Sequence, residues 1–467
     1  MTQHKTGKKR EQWGSKLGFI LAAAGSAIGL GNIWKFPYVA GDSGGAAFIV
    51  VFLVCIFIIG LPVTVGEILI GRTAQRGPVG AFKKLGNNSR LWTSVGALGV
   101  VTGFLILSFY AVVAGWSLGY VVESLKGTFF TFEAPEAAGM YFQSLTSNPY
   151  WIIGFLFIFM AISLVFVLFG IQKGIERGSK IMMPVLFILL LALMVRGLTL
   201  KGASKGLEFF FSPDWSKING QVILLALGQA FFTMSIGMGA MLTYGSYMSE
   251  KDNILSSSLQ ILILDTAISI IAGVAIFTAV FANGQDPAEG PGLIFHIIPV
   301  VFSSMPGGYF FSILFFILLT IAAITSAISL LEVITSYLVD EKQWNRKKAV
   351  VLCSVITFFL AIPSALSYTP IFNDKLIGDK NFFDIIDFVS SNIFLPLGGL
   401  LTAIFVAWFW GFDKALLEMK KGAEDIFENH FYLIKLWKIF LRYFAPVLIL
   451  VVLLHSMGIL SLLGLEF

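Results

Sequence analysis

Cysteine, histidine and charge are all scarce. Two cysteines and four histidines stand among 467 residues. Cys55 and Cys353 both fall in apolar runs, so they read as small buried hydrophobes, and no disulfide framework or thiolate metal site follows from them. His4, His296, His430 and His455 are scattered, and none is expected to be a ligand. No Gly-rich nucleotide loop and no nucleophile motif is present, so an enzyme would lack a catalytic constellation. Charged residues make up 13%, against about 25% in soluble domains. A cleaved leader is not expected either. The polar head Met1–Lys16 enters a run too long for a signal peptide, and no small-residue cleavage motif follows it.

What is abundant is apolar: 57% of the chain is hydrophobic, with 46 phenylalanines. A membrane-crossing helix needs roughly 20 mostly apolar residues. Eleven such stretches are expected, near 15–38, 45–71, 92–124, 150–170, 179–198, 220–248, 254–283, 308–339, 348–367, 383–410 and 436–462. The net charge of +5 does not indicate nucleic acid, because the basic residues collect in alternate loops. They stand at Lys5, Lys8, Lys9, Arg10 and Lys16, then in the loops after spans 2, 4, 8 and 10. This positive-inside pattern predicts a cytoplasmic N-terminus and, after eleven spans, an extracellular C-terminus. One integral domain, 1–467, is expected. The loop holding "FANGQDPAEGPGLIFHIIPVVFSSMPGG" predicts a helical hairpin that caps a cavity, and 413–438 predicts a surface helix.

The first span carries "AGSAIGLGNIWKFP", whose glycines and polar residues weaken a helix in the middle of lipid. Glycine costs about 1 kcal/mol against alanine in a helix. Gly25 and Gly29 also match a small-xxx-small packing motif, an ordinary use of glycine in membranes. The sixth span repeats the feature in "FFTMSIGMGAM". Each interrupted span opens a set of five, which predicts two inverted repeats, 15–198 and 220–410, with 436–462 as an extra span. Paired interruptions of this kind point to a transporter binding site. Unwound backbone is tolerated where it is buried in protein or lines a wet cavity. Freed carbonyls there attract cations, and half-helix N-termini attract anions. Other intramembrane polar residues are Glu67, Tyr110, Asp265, Thr325 and Ser326. A carboxylate in the membrane is a functional candidate by default.

The runs "REQWGSKLGFILAAAGSAIGLGNIWKFP", "GQAFFTMSIGMGAMLTYGSYMS" and "AAITSAISLLE" give the chain its resemblance to the neurotransmitter:sodium symporters. It is most similar to their bacterial amino-acid transporters of the LeuT type, in the branch with eleven spans that takes several hydrophobic amino acids. The resemblance covers nearly the whole chain. It implies an all-α polytopic membrane protein with the LeuT-type fold, a 5+5 inverted repeat with broken helices 1 and 6, and eleven transmembrane helices. It also implies two sodium ions. The first would be held by Ala27, Asn32, Thr233 and Asp265, and the second by Gly25, Ile28, Ala322, Thr325 and Ser326. These are oxygen ligands, as a hard cation requires.

The resemblance implies a substrate among Ser26, Ala27, Gly29, Leu30, Gly31, Ile106, Tyr110, Phe232, Thr233, Ser235, Met238, Ser326, Ser329 and Leu330. Glycine at position 29, where monoamine carriers have a carboxylate, implies a substrate that brings its own. Asp265 in place of the usual asparagine implies transport without chloride, although Ser269 matches a chloride-site serine. Two gates are implied: Lys35 with Asp387 on the outer side, and Arg10 with Asp340 on the inner side beside Trp13 and Tyr247. Glu67 is expected to brace the broken spans. The expected partners are a hydrophobic amino acid, sodium ions and lipid. A sensor that binds without transporting needs the same site, so both readings stay open. The apolar walls argue against a channel.

Overall fold

A computed structural model describes residues 10–132, 135–285, 293–424, 427 and 430–462. Lys5, Lys8 and Lys9, and residues 286–292 of the expected hairpin, lie outside the described residues. Among the described residues, nine helices are long and apolar enough to cross a membrane: Ala46–Ala74, Arg90–Lys126, Pro149–Leu168, Ile171–Leu198, Ile254–Ala282, Gly308–Glu341, Arg346–Leu366, Phe382–Phe409 and Phe431–Ser456. Two further spans are broken. Span 1 is Lys16–Ala27 and Gly31–Asp42, bent by 61°. Span 6 is Gly220–Thr233 and Ala240–Gly245. Counting each broken span as one, the described residues give eleven segments in the expected order.

Asparagine sets many of the starts. Asn148, Asn219, Asn253, Asn345 and Asn381 each accept from a backbone N–H of the first turn of spans 4, 6, 7, 9 and 10. Such caps satisfy donors that the helix itself leaves open. Span 8 runs through the centre, with 78% of its most apolar window buried, while span 11 is peripheral at 28%. Thr325 and Ser326 on span 8 are therefore held deep in the bundle.

Two boundaries differ from expectation. Span 5 begins at Ile171 rather than 179, because its charged first turn is satisfied by tertiary contacts. Glu176 accepts from Gly14 N at 2.6 Å, Ser15 Oγ at 2.9 Å and Lys180 Nζ at 2.6 Å. The expected surface helix over 413–438 is likewise not one element. Phe412–Lys420 is a short helix, and residues from Phe431 onward already belong to span 11. Buried Glu418 holds the short helix against buried Arg72 at the end of span 2, with Nε to Oε1 at 2.8 Å. On the opposite side, the described part of the expected hairpin forms the helix Ile297–Ser304.

Candidate functional site

The site grows from the two breaks. In span 1 the helix stops at Ala27 and resumes at Gly31. In span 6 it stops at Thr233 and resumes at Ala240. The second break requires positive φ at Ser235 (52°), Gly237 (84°) and Gly239 (75°). Glycine accepts that region freely, whereas serine pays about 1–2 kcal/mol. The Ser235 hydroxyl donates to the Ser26 carbonyl at 2.9 Å, and the Ser26 hydroxyl donates to Ser329 Oγ at 2.7 Å. The strained residue thereby ties span 6 to span 1, and span 1 to span 8. Glu67, fully buried on span 2, accepts from Gly237 N at 2.8 Å. It supplies a partner for one amide freed by the break.

A small central cavity of about 30 Å³ lies between the breaks, lined by Ser26, Ala27, Gly29, Gly31, Ile106, Tyr110, Phe232, Ser235, Met238, Ser326, Ser329 and Leu330. Two of the residues expected there lie elsewhere. Leu30 faces a second cavity, and its amide donates to the Tyr110 hydroxyl at 3.2 Å. Thr233 turns away toward Asp265. Gly29 sits where two hydroxyls converge: a Cβ there would lie 2.6 Å from Ser326 Oγ and 3.0 Å from Tyr110 Oη. Gly31 is as confined, with Phe232 Cε1 at 2.8 Å from a Cβ position. The backbone at Gly29 thus faces two hydroxyls, that at Gly31 faces the Phe232 ring, and both glycines line the cavity.

Two oxygen-rich clusters flank the cavity. In the first, the Asn32 side-chain amide donates to Asp265 Oδ1 at 2.7 Å, Thr233 Oγ1 at 2.8 Å and Ser269 Oγ at 2.8 Å. The Thr233 hydroxyl donates to Asp265 Oδ1 at 2.9 Å. All four side chains are buried, so Asp265 is a carboxylate surrounded by neutral groups. In the second, the Ser326 hydroxyl lies 3.4 Å from the Gly25 carbonyl, 3.2 Å from that of Ser26 and 3.5 Å from that of Ile28. The Thr325 hydroxyl donates to the Ala322 carbonyl at 2.9 Å. The frayed end of span 1 and the middle of span 8 therefore present several oxygens to one point. Oxygen donors of this kind suit a hard cation.

The two ends of the cavity differ. On the side of the N-terminus, Arg10 Nη1 meets Asp340 Oδ2 at 2.5 Å, and Arg10 Nη2 donates to Ser246 Oγ at 2.7 Å. The guanidinium also lies 4.4 Å over the Tyr247 ring. Burial opposes its charge, but Tyr247, Asp340 and Glu332 outweigh that and hold its pKa above the usual value. Trp13 donates from its indole N–H to the Tyr244 carbonyl at 2.9 Å and stands edge-on to Tyr247. On the other side, a cavity of about 390 Å³ opens above Tyr110 and Phe232. Lys35 and Asp387 both line it, yet among the described residues they form no ion pair. Lys35 Nζ lies 5.5 Å over the Phe232 ring, and Asp387 accepts from Ser391 Oγ at 2.7 Å. The expected outer pair is thus open here, because the cavity separates its halves.

Broken spans 1 and 6 around a cavity with two oxygen clusters invite comparison with known carriers. The family model described as "Sodium:neurotransmitter symporter family" matches residues 10–133 and 148–465. The chain belongs to that family. It is 41% identical over 457 residues to the sodium-dependent transporter YhdH of Bacillus subtilis, covering 97% of this chain and 99% of that one. A sodium-dependent transporter of Haemophilus influenzae is 34% identical, covering 96% and 99%. The crystal structure of MhsT in complex with L-phenylalanine superposes with a TM-score of 0.87 at 46% identity, covering 96% of this chain and 100% of that one. The symporter is thus a multi-pass, sodium-dependent transporter with the LeuT-type fold.

Sequence reasoning missed part of the closed side. Glu332, buried on span 8, accepts from Arg346 Nη2 at 2.5 Å and from the Tyr247 hydroxyl at 2.6 Å. Asp340 also accepts from Gly77 N at 2.7 Å. A carboxylate late in an apolar span was the available signal for Glu332.

Proposed function

We propose that the symporter imports hydrophobic L-amino acids, aliphatic and aromatic, together with two sodium ions and without chloride. The observation that carries this is Gly29. Its missing side chain leaves the Tyr110 and Ser326 hydroxyls aimed at one small space. A carboxylate carried in by the substrate suits those donors, whereas a carboxylate built into the chain at that position would clash with them. Ile106, Phe232, Met238 and Leu330 offer apolar walls for the side chain. Methionine deforms readily and accommodates different shapes. L-Phenylalanine is the ligand named for MhsT, which agrees with this reading.

One sodium ion sits among Ala27, Asn32, Thr233 and Asp265 in this proposal. The fixed charge of Asp265 does the work that a borrowed anion would otherwise do. The other sits among Gly25, Ile28, Ala322, Thr325 and Ser326, and so couples span 1 to span 8. An ion there favours whichever arrangement brings those spans together. The basic loops support a cytoplasmic N-terminus. The Arg10–Asp340 pair then seals the inner side while the cavity beside Lys35 faces outward. Transport consists of exchanging which side is sealed, with Lys35 and Asp387 closing the outer side. Uptake into proteoliposomes under an inward sodium gradient tests the proposal. Leucine and phenylalanine should compete with labelled substrate, and glycine and glutamate should not. Binding without accumulation would instead identify a sensor.

A further inference from the structure

Three cations stand on one face of span 11, near its start: Lys435, Lys438 and Arg442, at spacings of three and four residues. Helical rise spreads them over about 10 Å. Among the described residues none of the three is in an ion pair. Lys438 Nζ lies 4.8 Å over the Phe412 ring, and the Arg442 guanidinium lies 5.8 Å from the Trp408 ring and 5.7 Å from that of Tyr443. Arg442 Nε is buried with no hydrogen-bond partner. Asp413, next to Phe412, is exposed and bridges to none of them. The groove therefore holds aromatic rings and, among the described residues, cations without an ion-pair partner, between the ends of spans 10 and 11. It lies on the N-terminal side, since Phe412–Lys420 is anchored to Arg72 at the end of span 2.

Beyond the cations, the same region is apolar and exposed: Phe409 is 44% exposed, Phe444 47%, Val447 60% and Leu450 44%. Charge at one end and bare hydrocarbon at the other match one class of partner. We infer that the groove formed by Trp408, Phe412, Lys435, Lys438 and Arg442 binds an anionic phospholipid, with its phosphodiester between Lys438 and Arg442 and its acyl chains along Phe444, Val447 and Leu450. Arginine and lysine donate strong charge-assisted hydrogen bonds to phosphate oxygens. Neutral headgroups lack the net charge that would neutralise the groove.

The test uses the full-length protein in detergent, titrated with phosphatidylglycerol, phosphatidylcholine or inorganic phosphate. Bound lipid is counted by native mass spectrometry, and thermal unfolding is read in parallel. Phosphatidylglycerol should be retained in preference to phosphatidylcholine and should raise Tm, and phosphate alone should do neither. The double variant Lys438→Gln/Arg442→Gln should need roughly thirtyfold more phosphatidylglycerol for the same occupancy. Lys173→Gln, an exposed control in the first turn of span 5, should behave as wild type. Should the double variant fail to fold, Lys438→Gln alone should still lose roughly fivefold. Equal retention of the two lipids, an unchanged titration in the variants, or an equal effect of free phosphate would overturn the assignment.

Discussion

Arg10 Nη1 lies 2.5 Å from Asp340 Oδ2, with only 15% and 12% of the two side chains exposed. The first residue belongs to the segment leading into span 1, and the second ends span 8. Breaking a pair as buried as this by removing one partner costs about 3–5 kcal/mol where burial is complete, and less at this exposure. Asp340→Asn is expected to release the N-terminal side, lower uptake at least about tenfold and expose Trp13. Reaction of an introduced Trp13→Cys thiol with a water-soluble maleimide measures this. The native thiols, Cys55 and Cys353, are buried and give little background. Unchanged labelling would mean that the pair is not a seal.

On the proposed reading, position 29 separates substrate classes. Gly29→Asp should abolish amino-acid binding, because its Cβ already crowds Ser326 Oγ and its carboxylate takes the substrate's place. The expected loss of phenylalanine affinity exceeds about a hundredfold, as for a buried charge left facing another. Isothermal titration or scintillation-proximity binding reads it. Retained affinity would remove Gly29 from the carboxylate site.

The second oxygen cluster predicts a sodium phenotype. Ser326→Ala removes a hydroxyl that reaches carbonyls of span 1, and one hydrogen bond contributes about 1 kcal/mol. Half-saturating sodium for uptake should rise about fivefold to tenfold, with folding preserved. Thr325→Val should act in the same direction. A sodium dependence unchanged in both would exclude this cluster.

Asp265 predicts indifference to chloride. Replacing chloride by gluconate should leave wild-type uptake unaltered. Asp265→Asn removes the one formal charge in a cluster of neutral partners, and should raise half-saturating sodium at least about tenfold. A large fall of wild-type uptake in gluconate would contradict the role given to Asp265.

The break in span 6 predicts a stability contrast. A Cβ on Gly237 would meet the Leu395 carbonyl oxygen at 2.2 Å, in a backbone with φ of 84°. Gly237→Ala should therefore destabilise the fold by about 2 kcal/mol or more. Gly228, in the regular part of the same span, has no atom within 4 Å of a Cβ position. Gly228→Ala should be neutral or slightly stabilising. Thermal unfolding in detergent compares the two.

The eleven crossings and the two breaks were legible because each rests on a local rule. An apolar run of membrane length needs no partner to be recognised, and glycines between polar residues announce backbone that leaves the helix. The grouping around the central cavity came from matched motifs rather than from residue chemistry. Tertiary satisfaction was what local rules could not supply. Glu176 makes the start of span 5 read as a loop in the sequence, because the long-range partners that satisfy it, Gly14 N and Ser15 Oγ, come from the segment before span 1. Glu332 and Arg346 are far enough apart in helical register, and on different spans, that only the folded chain pairs them. Lys35 and Asp387 failed to pair for the opposite reason: a matched motif carries residue identity, but not which side of an alternating site stands open.

Phenylalanine affinity, measured on the purified protein with sodium present and with sodium replaced by potassium, tests the coupling at the centre of this account most directly. On the proposed reading, sodium bound beside the zwitterion should tighten it at least about tenfold, and by linkage phenylalanine should tighten sodium by the same factor. Equal affinity in the two salts would contradict the account.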